Sequence, residues 1–86
     1  LDAPRLATLF GWTAEEFEQR MRGSAIYRIG YARWLRNIAV ALGNAPRSRA
    51  VLEALRARVQ DPSALVREHV QWALRAQEQR AATPIR

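Results

Sequence analysis

The 86-residue chain contains no cysteine, which excludes disulfides, thiolate-bound metals and clusters, and cysteine nucleophiles. It contains no lysine: all 14 basic residues are arginine. No apolar run reaches the roughly 18 residues of a membrane span, and no signal-peptide pattern opens the chain. A soluble cytoplasmic monomer without a membrane partner is therefore expected. Alternating β-branched stretches and hairpin turn signals are missing, which argues against a sheet. There is no glycine-rich phosphate loop, Ser24 has no companion base, and the single histidine, His69, has no second metal ligand. Glu15 and Glu16 stand at a helix start, where carboxylates serve the dipole and the cap better than they serve catalysis. No catalytic residue, metal site or cofactor site is expected here. The first residue is Leu1 rather than methionine, and the chain reads as a piece of a longer one.

Acid is scarce in one region. Between Glu18 and Glu53 there is none, while seven arginines occur: Arg20, Arg22, Arg28, Arg33, Arg36, Arg47 and Arg49. Of the net charge of +6, residues 1–22 contribute −1 and residues 23–86 contribute +7. A GC-rich coding bias accounts for arginine in place of lysine, but not for this distribution. A positive field of this kind attracts polyanions without naming one.

What is present is helical periodicity. About five short helices joined by short loops predict one all-α domain over residues 1–80, with 81–86 as a frayed tail. Asp2 and Pro4 suit the start of the first helix and Gly11 its end. Thr13 with Glu16 forms a capping-box pattern, and Gly23 ends that helix. Glu16–Arg20 and Glu18–Arg22 are spaced to pair. "GSAIYRIG" is ambiguous: Ser24 suits the cap of a short turn, and Gly30 a break. The third long pattern runs from about Tyr31 to Leu42, with Gly43 or Asn44 suited to a left-handed cap. A fourth covers about 48–59, with Val51, Leu52, Leu55 and Val59 on one side. "QDPS" then joins it to a last helix over about 63–79, capped by Asp61 or Ser63.

Shifting the chain by 32 residues lays Trp34, Ile38, Ala41 and Leu42 on Val66, Val70, Ala73 and Leu74. The pattern is that of a degenerate HEAT-like pair of repeats, the logic of an α-solenoid. In the last helix Leu65, Val66, His69, Val70, Trp72, Ala73, Ala76 and Gln77 span a wide, mostly apolar arc. Such an arc suggests two neighbours, or one neighbour and a surface outside this chain.

The helix from Tyr31 carries the candidate site. With Arg33 at 0°, Arg36 falls at about −60° and Asn37 at about +40°, opposite Trp34, Leu35, Ile38 and Leu42. Arg28 precedes this face, and Arg47 and Arg49 follow it. Guanidinium groups grip phosphate and stack on bases, and asparagine reads base edges or sugar hydroxyls. Taken singly, each arginine is explained by solvation; the set, in an acid-free run, points to a polyanion site. Trp12, Trp34 and Trp72 fit core or interdomain packing better than base stacking.

"GSAIYRIGYARWLRNIAVALGNAP" followed by "DPSALVREHVQWAL" resembles the C-terminal region of the epoxyqueuosine reductase family, and "LFGWTAEEF" fits the segment before it. The motif falls on Gly23, Ser24, Arg28, Gly30, Arg33, Arg36, Asn37, Gly43 and Asn44, then on Arg67, Glu68 and His69. Tyr27 departs from it, at a position often basic in the family. The resemblance implies a parent enzyme that uses two 4Fe-4S clusters and cobalamin to reduce epoxyqueuosine in the tRNA anticodon. This HEAT-like part would be non-catalytic and would bind the tRNA anticodon stem-loop beside upstream catalytic domains of the same chain. On this reading Arg28, Arg33, Arg36, Asn37, Arg47 and Arg49 bind RNA. Arg67, Glu68, His69 and Trp72 have structural or interdomain roles. Two alternatives are a protein-docking module without RNA binding and a DNA-binding domain that inserts helix 31–42 into a major groove.

Overall fold

The computed structural model describes residues 2–82, with side chains as far as Arg80. Among them are six helices and no strand: α1 (Ala3–Phe10), α2 (Ala14–Met21), α3 (Ala25–Ile29), α4 (Tyr31–Asn44), α5 (Arg49–Arg56) and α6 (Ala64–Ala82). The all-α expectation holds, with one helix more than expected because "AIYRI" closes its own turn. Residues 83–86, most of the expected tail, lie outside the described residues; α6 continues through Ala82.

Local chemistry sets most boundaries. Asp2 Oδ1 accepts from the Arg5 N–H at 3.0 Å at the start of α1. Thr13 and Glu16 exchange reciprocal bonds of 2.9 and 3.1 Å, completing the capping box of α2. This use of Glu16 leaves Arg20 without its expected ion pair; Arg20 instead lies over the Trp12 ring, 5.1 Å from its centroid. Glu18 and Arg22 do pair, at 2.6 Å. Ser24, Ser48 and Ser63 cap α3, α5 and α6 through the N–H three residues on. Asp61 does not cap α6 but holds the Ser63 N–H at 2.9 Å in the preceding turn. Gly23 and Gly30 bracket α3 at φ +86° and +89°, a region that side-chain-bearing residues resist.

The core is built on α4 and α6, whose contact is the most extensive in the fold. Trp34, Leu35, Ile38, Ala39 and Leu42 of α4 and Val66, Val70 and Ala73 of α6 are all buried. Phe10 of α1, Phe17 of α2, and Val51 and Leu55 of α5 close the cluster. Two position pairs of the 32-residue shift, Trp34 with Val66 and Ile38 with Val70, are therefore buried at both members. The wide arc on α6 is filled only in part: Val66, Val70, Ala73 and Gln77 are enclosed, while Trp72 keeps 38% of its surface.

Two expectations fail for tertiary reasons. Neither Gly43 nor Asn44 adopts a left-handed cap; both remain helical, and the chain leaves extended at Ala45 (φ −75°, ψ 158°). Pro46 favours that extended conformation in the residue before it. The open carbonyls of α4 are instead served by α6. Gln77 Nε2 donates to the Leu42 and Ala45 carbonyls at 2.8 and 2.9 Å, and Arg80 Nη1 donates to Gly43 and Ala45 at 3.0 and 2.6 Å. Gly43 is glycine for space: a Cβ there would lie 2.6 Å from Trp72 Cζ3 and 2.9 Å from the Ala73 Cα.

The second failure is α5, which stops at Arg56 rather than Val59. Val59 is exposed, and the turn that follows carries Arg58 inward. Arg58 donates to the carbonyls of Phe10 and Trp12, to the Tyr31 hydroxyl and to Asp61, so one side chain ties α1, the α1–α2 joint, α4 and the α5–α6 turn.

Candidate nucleic-acid interface

Helix α4 sorts its side chains as its period requires. Its apolar stripe enters the core, and Arg33, Arg36 and Asn37, at i, i+3 and i+4, share the outer face. Arg33 and Asn37 are exposed and Arg36 is half-buried. Arg36 Nε donates to Asn37 Oδ1 at 2.9 Å, which fixes the two side chains relative to each other. That bond occupies the amide oxygen and leaves the amide NH2 as a donor. The face is thus donor-rich, suited to phosphate and carbonyl acceptors. Arg33 has no side-chain partner among the described residues.

Arg47 and Arg49 lie beyond the end of α4, about 16 Å or more along the helix axis from Arg33 at 1.5 Å per residue. They share a hollow of about 710 Å³ with Ser48, Leu52, Glu53 and Arg56. Arg49 is not free of acid as expected: its Nε meets Glu53 Oε2 at 3.1 Å, an i,i+4 pair whose spacing is legible in the sequence. Glu53 lies just past the acid-free run and reaches back into it. Arg47 has no such partner among the described residues. Arg28, on α3, is also exposed and unpaired. The six arginine and asparagine positions therefore form a face on α4, a pocket at the start of α5 and a single site on α3. Among the described residues no hydrogen bond joins the three: Arg36 bonds Asn37 within the α4 face, and Arg49 bonds Glu53 within α5.

Arg67, Glu68, His69 and Trp72 separate in role. Arg67 Nη1 donates to the Asp61 and Pro62 carbonyls at 2.7 and 3.1 Å, securing the turn before α6. His69 Nδ1 lies 2.8 Å from the Leu65 carbonyl, which makes Nδ1–H the donor and leaves Nε2 as the acceptor. His69, Glu68 and Trp72 line a hollow of about 390 Å³ with Val40 and Arg75. Among the described residues no three His, Cys, Asp or Glu side chains gather to hold a metal ion. No described helix is long and apolar enough to cross a membrane.

Trp12 and Trp34 belong to an aromatic cluster, with ring centroids 5.6 Å apart; Phe17 lies 4.9 Å from Trp34 and 5.6 Å from Tyr31. The cluster packs the first turn of α4 through Tyr31 and Trp34. Arg58 holds the start of α4 through the Tyr31 hydroxyl and the α1–α2 joint through the Trp12 carbonyl. Only its i,i+3 spacing to Asp61 is a local signal; its other partners lie 27 to 48 residues away.

No family model matches the chain, and no solved structure matches it. Curated proteins do. Over 88% of its length the chain is 60% identical to 22% of an epoxyqueuosine reductase of Burkholderia pseudomallei. Over 87% of its length it is 63% identical to 21% of the Pseudomonas aeruginosa epoxyqueuosine reductase. Over 93% of its length it is 51% identical to 21% of that of Escherichia coli. The chain spans about a fifth of the length of the curated relatives it matches. The resemblance carried by the arginine-rich motif thus holds across almost the whole chain.

Proposed function

We propose, from that kinship, that the chain is a non-catalytic, tRNA-holding part of an epoxyqueuosine reductase. The parent would reduce epoxyqueuosine to queuosine in the tRNA anticodon, in the cytoplasm. The helical stack, HEAT-like in its pairing of α4 with α6, would grip the anticodon stem-loop. The two 4Fe-4S clusters and the cobalamin implied for the parent have no fitting ligand set here. The chain has no cysteine to hold a cluster, and among the described residues no three His, Cys, Asp or Glu side chains gather to hold a metal ion. No redox step is assigned to these residues.

The observation that carries the reading is the outer face of α4. Arg33, Arg36 and Asn37 project from a helix whose other face is locked in the core, with no carboxylate bonded to any of them. Solvated surface arginines usually stand among acids; these stand in a run of 34 residues without one, from 19 to 52. Phosphate contacts by such groups position an RNA, and loop bases supply the specificity.

The test is an NMR titration of the chain with a queuosine-type anticodon stem-loop, beside duplex DNA, at two salt concentrations. Shifts should gather on residues 28–49 and favour the stem-loop. Affinity should fall with a log–log salt slope of about −2 to −3, the value for three or four phosphates. Arg33→Glu should abolish the response. An absence of shifts at low salt would sink the reading, and tighter binding to duplex DNA would replace it.

A second reading, docking on the remainder of the parent protein, draws on the Trp72 hollow. A tryptophan 38% exposed beside Val40 and His69 is an anchor of the kind found at interfaces. Trp72→Ser would then leave RNA shifts unchanged and loosen association with the rest of the parent.

A further inference from the structure

Five large hydrophobic side chains are exposed among the described residues: Ile26, Tyr27, Ile29, Val59 and Trp72. Three of them stand on α3, a helix of five residues, with exposures of 44, 37 and 40%. Single exposed hydrophobics need no explanation, but a cluster on one turn does. Nor is α3 a loose excursion. Gly23 and Gly30 set its two ends at positive φ, and Ser24 Oγ donates to the Met21 carbonyl at 2.7 Å. Its tyrosine ring is backed from inside: Tyr27 stacks on Phe17, centroids 6.0 Å apart and planes 20° apart, and Phe17 is buried against Tyr31 and Trp34. A planar ring held on one side by a core aromatic, on a residue still 37% exposed, presents π-surface with little freedom left to lose.

The charges beside it are cationic. Arg28 is exposed and has no partner among the described residues, and Arg22 pairs with Glu18. Glu18 is the one carboxylate in the hollow that Tyr27 lines, and Arg22 neutralises it at 2.6 Å. An exposed aromatic ring one residue from a free guanidinium suits one class of ligand. An unpaired nucleotide brings a base face for the ring and a phosphate for the arginine. An apolar protein segment would match the isoleucines but leave Arg28 without a counterpart.

We propose that α3 is a stacking platform on which the Tyr27 ring, backed by Phe17, receives an unpaired base of the bound RNA while Arg28 meets its phosphate. The proposal rests on the RNA-binding reading above and adds a contact that the α4 face alone does not supply.

The experiment measures binding of the chain to an RNA stem-loop and to a blunt RNA duplex of the same stem, using wild type, Tyr27→Leu, Tyr27→Phe and Arg33→Glu. Leucine keeps an apolar group against Phe17 but has no planar face. Tyr27→Leu should weaken stem-loop binding about tenfold and leave duplex binding unchanged, while Tyr27→Phe stays within about twofold of wild type. On stem-loop binding, the Tyr27 ring protons of the wild type should move upfield, a stacking signature that a merely structural role would not produce. If Tyr27→Leu binds the stem-loop as wild type does while Arg33→Glu is weakened, the platform is refuted and the α4 reading stands. If wild type binds neither RNA, both fall. Should Tyr27→Leu fail to fold, the wild-type ring shift and an Arg28→Gln variant decide: no upfield shift, or unchanged stem-loop affinity, overturns the proposal.

Discussion

Replacing Arg58 with methionine removes a cation that is only 17% exposed and strands Asp61, which is 5% exposed, 2.8 Å from where the guanidinium stood. The Asp61 carboxylate keeps the Ser63 N–H but loses its counter-charge. The Phe10 and Trp12 carbonyls and the Tyr31 hydroxyl lose a donor as well. Breaking a buried pair by deleting one partner costs about 3–5 kcal/mol, most of it the uncompensated charge left behind. A domain of this length has about 4–13 kcal/mol in total, at 0.05–0.15 kcal/mol per residue, so the variant should be near the edge of folding. Urea denaturation followed by circular dichroism measures this directly. In a thermal scan each kcal/mol is worth about 4–8 °C, so the midpoint should fall by at least about 12 °C. Asp61→Asn should be harmful alone but much less so in the Arg58→Met background, with a coupling of about 1–3 kcal/mol. A loss below about 1 kcal/mol, or additive single effects, would refute the claim that this knot holds α1 to α4.

Three further outcomes follow from the same contacts. Gly43→Ala should destabilise by about 1–3 kcal/mol in urea melts, since the new methyl group meets Ala73 backbone as well as the Trp72 ring. Gln77→Met should lose about 1–3 kcal/mol by leaving α4 carbonyls unserved. The loss should be at the low end, because Arg80 still reaches Gly43 and Ala45 and the buried Gln77 Oε1, which has no partner, is removed as well. Glu53→Gln breaks an exposed pair worth about 0.3–0.5 kcal/mol, so stability should hardly change. The freed Arg49 should tighten stem-loop binding and steepen its salt dependence; unchanged binding would remove Arg49 from the interface.

The candidate site was legible where it depended on helical period alone. Arg33, Arg36 and Asn37 share a face because residues three and four apart on a helix must, and Trp34, Leu35, Ile38 and Leu42 go inward for the same reason. The Thr13–Glu16 capping box and the ends of α3 at Gly23 and Gly30 follow from chemistry within a few residues. The Arg49–Glu53 pair is equally local, an i,i+4 spacing that crosses the end of the acid-free run.

By itself, then, the sequence determined that the chain is helical, where most helices start, which stripe of α4 is buried and which is cationic. These are properties of neighbours in the chain, decided by caps, period and charge. Only the tertiary structure decided how α4 ends, why residue 43 has no side chain, and what Arg58 does. Each of these depends on a partner 27 or more residues away: Gln77 and Arg80 on the α4 carbonyls, Trp72 and Ala73 against Gly43, Arg58 on Phe10, Trp12 and Tyr31. A buried hydrogen bond or a close backbone approach is fixed by where two helices cross, and no local pattern records that crossing.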